Sequence, residues 1–232
     1  LQEVFQTTEK QDDVSVLDAF KVKRNRKALL IGLGLRSVQQ FCGSTAIIFY
    51  CSSLFEETST FASPSIGSII FFSLQTIVAM FSSCVVDTVG RRPLFLVSLI
   101  GTTMTLFILG LYLFLQNCAG INLEPYSFIS PVALFLNIIF FSSGVRNIPL
   151  LVISELFDSN FKPTAICIAT IYYALLAILM TQFFRITKEQ IDISFPFLVF
   201  GLLSLISTLL FFLYVPETKG KTLEEIQILL EK

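Results

Sequence analysis

Six apolar runs, each long enough to cross a lipid bilayer, decide what this chain can fold into. They cover roughly residues 28–54, 64–86, 93–115, 128–153, 165–184 and 194–215. A membrane-spanning helix needs about 20 mostly apolar residues, because each adds about 1.5 Å and the hydrocarbon core is about 30 Å thick. The expected fold is therefore all-α: a multi-pass membrane protein built as a six-helix transmembrane bundle over residues 28–215. Residues 1–27 read as a linker with a short amphipathic helix, and 216–232 as a tail. Composition agrees, since only 14% of residues are charged, where a soluble domain carries about 25%.

Several chemistries are excluded at once. The chain has no His, so an imidazole-based triad or an HExxH zinc site is impossible. Its five cysteines, Cys42, Cys51, Cys84, Cys118 and Cys167, are odd in number and irregularly spaced. That argues against a disulfide framework or a metal site and for small apolar core residues. No nucleophile–base pair is visible, so neither an enzyme, a metal nor a cofactor is expected, and no nucleic-acid partner. The polar start, without Met and without an apolar core followed by small residues, is not a signal peptide. The chain begins as if cut from something longer.

Lysine and arginine set the expected orientation. With the N-terminus inside, the inner segments hold Lys10, Lys21, Lys23, Arg24, Arg26, Lys27, Arg91, Arg92, Lys162, Lys219, Lys221 and Lys232, and the outer loops only Arg185 and Lys188. Both termini are thus expected in the cytoplasm. The charged insert "VVDTVGRRP" becomes a tight cytoplasmic turn, in which Gly90 permits a reversal at positive φ. Ser15 with Asp18, and Thr222 with Glu225, can form capping boxes for two flanking amphipathic helices. Pro64, Pro93 and Pro196 fall near helix starts, whereas Pro149 should kink or loosen the fourth span.

Four motifs then align with the ends of the spans: "QQFCGSTAIIFY" from Gln39 to Tyr50, "DTVGRRP" from Asp87, "SELFDSNFKPTA" from Ser154, and "VPETKGKTLEEIQ" from Val215. Together they resemble the C-terminal half of a sugar porter of the major facilitator superfamily, with particular similarity to insect facilitated trehalose and glucose transporters. The resemblance covers nearly the whole chain. It implies helices seven to twelve of a twelve-helix fold, and a partner N-terminal six-helix bundle that this chain lacks. It also implies a plasma-membrane protein that moves a small neutral sugar by alternating access, as facilitated diffusion. Two alternatives stay open: a non-transporting nutrient sensor or degenerate half-transporter, and a carrier for an organic anion.

By the same resemblance, Asp87, Gly90, Arg91, Arg92, Glu155, Lys162 and Glu217 make a cytoplasmic gate of ion pairs. The plainer alternative is topological anchoring by positive charge. Gln39, Gln40, Thr45, Gln75 and Tyr50 are the implied substrate contacts. A sugar offers hydroxyls, which amides and aromatic faces recognise, and an amide within a membrane span is costly without partners. The plainer reading of the glutamine pair is hydrogen bonding between helices.

The sequence also departs from the family pattern. Ser44-Thr45 replaces Ile-Asn, "GVRNIPL" from Gly144 replaces a Pro- and Trp-containing run, Tyr172-Tyr173 replaces Asn-Trp, and Lys162 replaces Arg. Arg36 and Arg146 are charges inside spans with no obvious acidic partner. Arg36 is expected to reach toward the cytoplasm, and Arg146 to lie deeper, inside the fourth helix. For both, pairing with acids of a partner bundle or with lipid phosphate, an anionic substrate, and relaxed constraint are the competing readings.

Overall fold

The computed structural model describes residues 23–58, 63–117, 124–157 and 161–214; among these there are helices and turns but no strand. In chain order the helices are α1 (Lys23–Phe41), α2 (Ser44–Phe49), α3 (Cys51–Thr58), α4 (Pro64–Val89), α5 (Arg91–Asn117), α6 (Ile129–Ser143), α7 (Ile148–Leu156), α8 (Lys162–Gln190) and α9 (Ser194–Tyr214). Five stretches are long and apolar enough to cross a membrane: α4, α5, α6 with α7, α8, and residues Ser194–Phe212 of α9. The amphipathic segments after Ser15 and Thr222, and the gate candidate Glu217, lie outside the described residues.

The first expected span is not one helix. It breaks after Phe41 and again at Tyr50, giving α1, α2 and α3. The first break has a local cause and a tertiary one. Gly43 adopts φ 65°, a left-handed conformation that costs an L-residue with a Cβ about 1–2 kcal/mol. The Phe200 ring of α9 also lies where a Cβ on Gly43 would stand. Only glycine meets both demands.

The fourth span breaks as well, but before Pro149 rather than at it. Residues 144–147 form turns between α6 and α7, and Pro149 falls in the first turn of α7, where its missing N–H costs little. A Cβ on Gly144 would stand 2.8 Å from the Leu94 carbonyl oxygen and 2.8 Å from Ser98 Cβ. The break therefore lets the backbone press against α5. Ser98 fills the gap: its hydroxyl accepts the Val145 N–H at 2.9 Å and donates to the Phe140 carbonyl at 2.5 Å.

α5 is the packing axis, lying along both α6 and α9. Gly101 meets the Phe140 ring and Gly110 meets Leu198; small residues allow such approach where no hydrophobic effect drives helices together. Hydroxyl and amide groups add specificity across the same seams. Thr103 Oγ1 lies 2.6 Å from Ser204 Oγ, and Asn137 Nδ2 donates to Thr105 Oγ1 at 3.0 Å. Phe184, fully buried, stacks with Tyr50 and meets Phe197 edge-on.

The outward faces are apolar. On α5, Val97, Ile100, Met104, Ile108 and Leu111 are exposed along one stripe, and on α8 Ile171, Leu175, Ile178 and Leu179. In water such surfaces would drive aggregation; in lipid they face a solvent as apolar as themselves. Two cysteines expected in the core, Cys84 and Cys167, are instead exposed, while Cys42 and Cys51 are buried.

Candidate functional site

The two helix breaks meet through one side chain. Gln39, near the C-terminal end of α1, donates Nε2 to the backbone carbonyl of Arg146 at 2.9 Å. That carbonyl lies in the turn between α6 and α7, outside the helical hydrogen-bond ladder. Gln39 Oε1 accepts from an Arg36 guanidinium nitrogen at 2.9 Å. Both ends of the amide are thus engaged inside the chain.

Around Gln39 stands a ring of further polar groups centred on Tyr173 of α8. Gln40 donates Nε2 to the Tyr173 carbonyl at 3.2 Å. Thr45 Oγ1 lies 3.3 Å from the Tyr173 hydroxyl, and Arg36 rests its guanidinium 5.0 Å from the ring centre. Neighbouring Tyr172 shares a 2.8 Å hydrogen bond with Ser37. Three buried atoms here have no hydrogen-bond partner: Arg36 Nε, Gln40 Oε1 and Ser44 Oγ. Buried polar groups are normally paired, so these three atoms stand out.

The other expected contacts are placed differently. Gln75 is buried on α4, and its side chain makes no hydrogen bond among the described residues. Tyr50 caps α2 and stacks on Phe184 at 5.4 Å between ring centres. Arg36 does not reach for the membrane surface. It folds inward and is only 7% exposed, because the Tyr173 face and the Gln39 amide receive it. Arg146 is not helical; its side chain is exposed and its backbone makes the contact.

At one end of the bundle Arg91 bridges two acids. Its guanidinium reaches Glu155 Oε1 at 2.8 Å and 3.1 Å, and Asp87 Oδ1 at 3.2 Å. Gly90 between α4 and α5 takes φ 103°, the positive value the turn demands, and this brings Arg91 one helical turn from Asp87. Arg92 instead donates to the Phe212 carbonyl at 2.9 Å, tying α5 to the end of α9. Lys162 opens α8 and has no ion pair among the described residues.

At the opposite end Lys188 pairs with Glu57 at 2.6 Å, joining α8 to α3. Lys188 and Arg185, expected in an outer loop, both lie within α8. Asp192, between α8 and α9, accepts the Ser194 N–H at 2.7 Å and the Asn117 amide at 3.0 Å. Burial pushes its carboxyl up, but bonds from Ser194, Asn117 and the Ile193 backbone outweigh that and hold it below its ordinary value.

The profile of the family described as "Sugar (and other) transporter" matches residues 1–230. The chain belongs to that family. Among its relatives, the Arabidopsis thaliana protein "Sugar transporter ERD6-like 1" is 35% identical over 98% of this chain and 48% of its own length. The Bombyx mori "Facilitated trehalose transporter Tret1" is 30% identical over 89% of this chain and 41% of its own. The chain thus spans about half the length of the curated relatives it matches. The fold matches solved structures of the major facilitator superfamily proton:xylose symporter XylE. One, bound to 6-bromo-6-deoxy-D-glucose, has a TM-score of 0.73 at 22% identity over 87% of this chain and 42% of that one. An inward-open form from E. coli has a TM-score of 0.74 at 21% identity, over 98% of this chain and 45% of that one.

In this sugar-transporter-family chain, sequence reasoning missed two contacts. Tyr173 was visible only as a departure from the family pattern, yet Arg36, Gln40 and Thr45 all meet it. The Lys188–Glu57 pair carries no local signal, because the partners are brought together only by folding.

Proposed function

We propose that this chain supplies one half of a carrier that moves a small sugar, a hexose or trehalose, across the plasma membrane by alternating access. In this reading both termini are cytoplasmic, a second six-helix bundle completes the central cleft, and no covalent bond is made or broken. The carrying observation is the junction at Gln39, where two interrupted helices meet beside the unpartnered Gln40 Oε1. Interrupted membrane helices free backbone groups for a ligand and are tolerated only where they are buried or line a cavity. Gln40 is the substrate contact with an acceptor still free. Gln39 and Thr45 hold the shape around it, Tyr50 supports the wall through Phe184, and Gln75 stands on α4, which packs against α3, α5 and α6.

The Arg91–Glu155–Asp87 cluster serves as the cytoplasmic latch, with Gly90 setting its geometry and Arg92 anchoring α5 to α9. Inward opening would separate Arg91 from Glu155. Solvated pairs contribute about 1 kcal/mol or less each, which suits a latch that must open often.

Uptake of radiolabelled glucose and trehalose into proteoliposomes tests the reading, using the full-length gene product and its Gln40→Ala variant. Uptake should exceed that of empty vesicles and fall about tenfold in the variant, through loss of a buried hydrogen bond. Uptake that Gln40→Ala leaves unchanged would remove Gln40 from the site.

A further inference from the structure

The Arg36 guanidinium is the chemical oddity of the site. It is 7% exposed, donates to the neutral Gln39 amide, lies on the Tyr173 face, and has no partner at Nε. Among the described residues no carboxylate pairs with it: Glu155 and Asp87 hold Arg91, and Glu57 holds Lys188. A buried cation without a counter-charge is strongly unfavourable, most of all within a membrane span. An aromatic face and an amide dipole offset only part of that cost. Among the described residues the Arg36 charge is thus uncompensated, and an anion is the group that would complete it.

The other two unpartnered atoms limit which anion. Gln40 Oε1 can only accept, so it needs a donor; Ser44 Oγ can do either. A halide or simple carboxylate would satisfy Arg36 and leave Gln40 Oε1 unpaired. A molecule carrying one carboxylate and several hydroxyls has a group to offer each of the three. Two residues that depart from the family pattern also meet at this point: Thr45 on the Tyr173 hydroxyl and Tyr173 under Arg36.

We propose that the site takes a sugar acid, a monosaccharide bearing a carboxylate, with Arg36 receiving the carboxylate and Gln40 a ring hydroxyl. Arg36 is then the residue that sets specificity, because its charge-assisted bond is available to the acid and not to the neutral sugar. This rests on the transport reading above and replaces its neutral hexose or trehalose with an acidic sugar.

Glucuronate and glucose are the discriminating probes, since they share a ring and differ in the carboxylate at C6. Binding of each, radiolabelled, is measured on the full-length protein in nanodiscs at pH 7, with Arg36→Gln and Arg36→Lys alongside and monodisperse elution required of each variant. The wild type should bind glucuronate about tenfold or more tighter than glucose. Arg36→Gln should abolish that preference while still binding glucose, and Arg36→Lys should retain part of it. Glucose bound more tightly than glucuronate, with Arg36→Gln only lowering thermal stability, overturns the proposal: the counter-charge is then a carboxylate of the protein, and the transport reading survives. Binding of neither sugar overturns both.

Discussion

The side-chain amide of Gln39 reaches the backbone carbonyl of Arg146 across 2.9 Å and so closes two helix breaks on each other. Neither partner has an equivalent substitute, since the carbonyl lies outside the helix ladder and the amide is 4% exposed. Gln39→Leu keeps the volume but strands the Arg146 carbonyl and the Arg36 donor together. A buried unsatisfied group costs about 1–3 kcal/mol. The variant should therefore melt measurably lower in detergent, and lower than Gln75→Leu, which breaks no hydrogen bond among the described residues.

Arg91 and Glu155 should be energetically coupled, and Asp87 should not. Arg91 makes two contacts with one Glu155 oxygen, and both side chains are largely shielded, whereas Asp87 is 73% exposed. A double-mutant cycle on thermal stability, Arg91→Ala with Glu155→Ala, should return a coupling of about 1 kcal/mol that shrinks with added salt. The same cycle with Asp87→Ala should return a few tenths at most. Arg91→Lys should behave nearly as Arg91→Ala, because an ammonium cannot reproduce the Nε contact.

The four continuous spans, α4, α5, α8 and α9, were legible because some twenty apolar residues in a row have little other use in a protein. The breaks were not. Gly43 sits in an apolar stretch that reads as continuous helix, and what forces its positive φ into use is Phe200, far along the chain. Pro149 did flag the fourth span, but the chain opens earlier because Gly144 lies against Leu94, a tertiary fact. The glutamines could be named from a motif, whereas the direction of Arg36 could not: turning inward or outward depends on whether an aromatic face waits on α8. Charge counting likewise identified Arg91 and Arg92 as a pair, and only the packing of α9 beside α5 sends them to different partners.

Replacing Gly43 tests the break directly. Gly43→Ala adds a Cβ to a left-handed residue at a cost of about 1–2 kcal/mol, and that Cβ also meets the Phe200 ring. The melting temperature should fall by more than the conformational term alone explains. Phe200→Leu opens space without changing the backbone, so in the Gly43→Ala background it should lower stability less than it does in the wild type. If the two losses simply add, the ring is not what confines Gly43, and the strain is purely conformational.

Acid should weaken the turn between α8 and α9. Asp192 holds the Ser194 N–H at the start of α9 and the Asn117 amide at the end of α5, and these bonds depress its carboxyl relative to the unfolded chain. A depressed carboxyl contributes stability in full above its unfolded value of about 3.9 and loses it as pH falls through the folded value. Melting curves from pH 7 downward should therefore be flat with respect to this group until about pH 4, then decline. Asp192→Asn keeps an acceptor for Ser194 but removes the charge. It should start less stable at pH 7 and show a shallower decline below pH 4, so that the two curves converge in acid. Parallel curves would mean that Asp192 titrates alike in both states and that its hydrogen bonds do not favour the carboxylate.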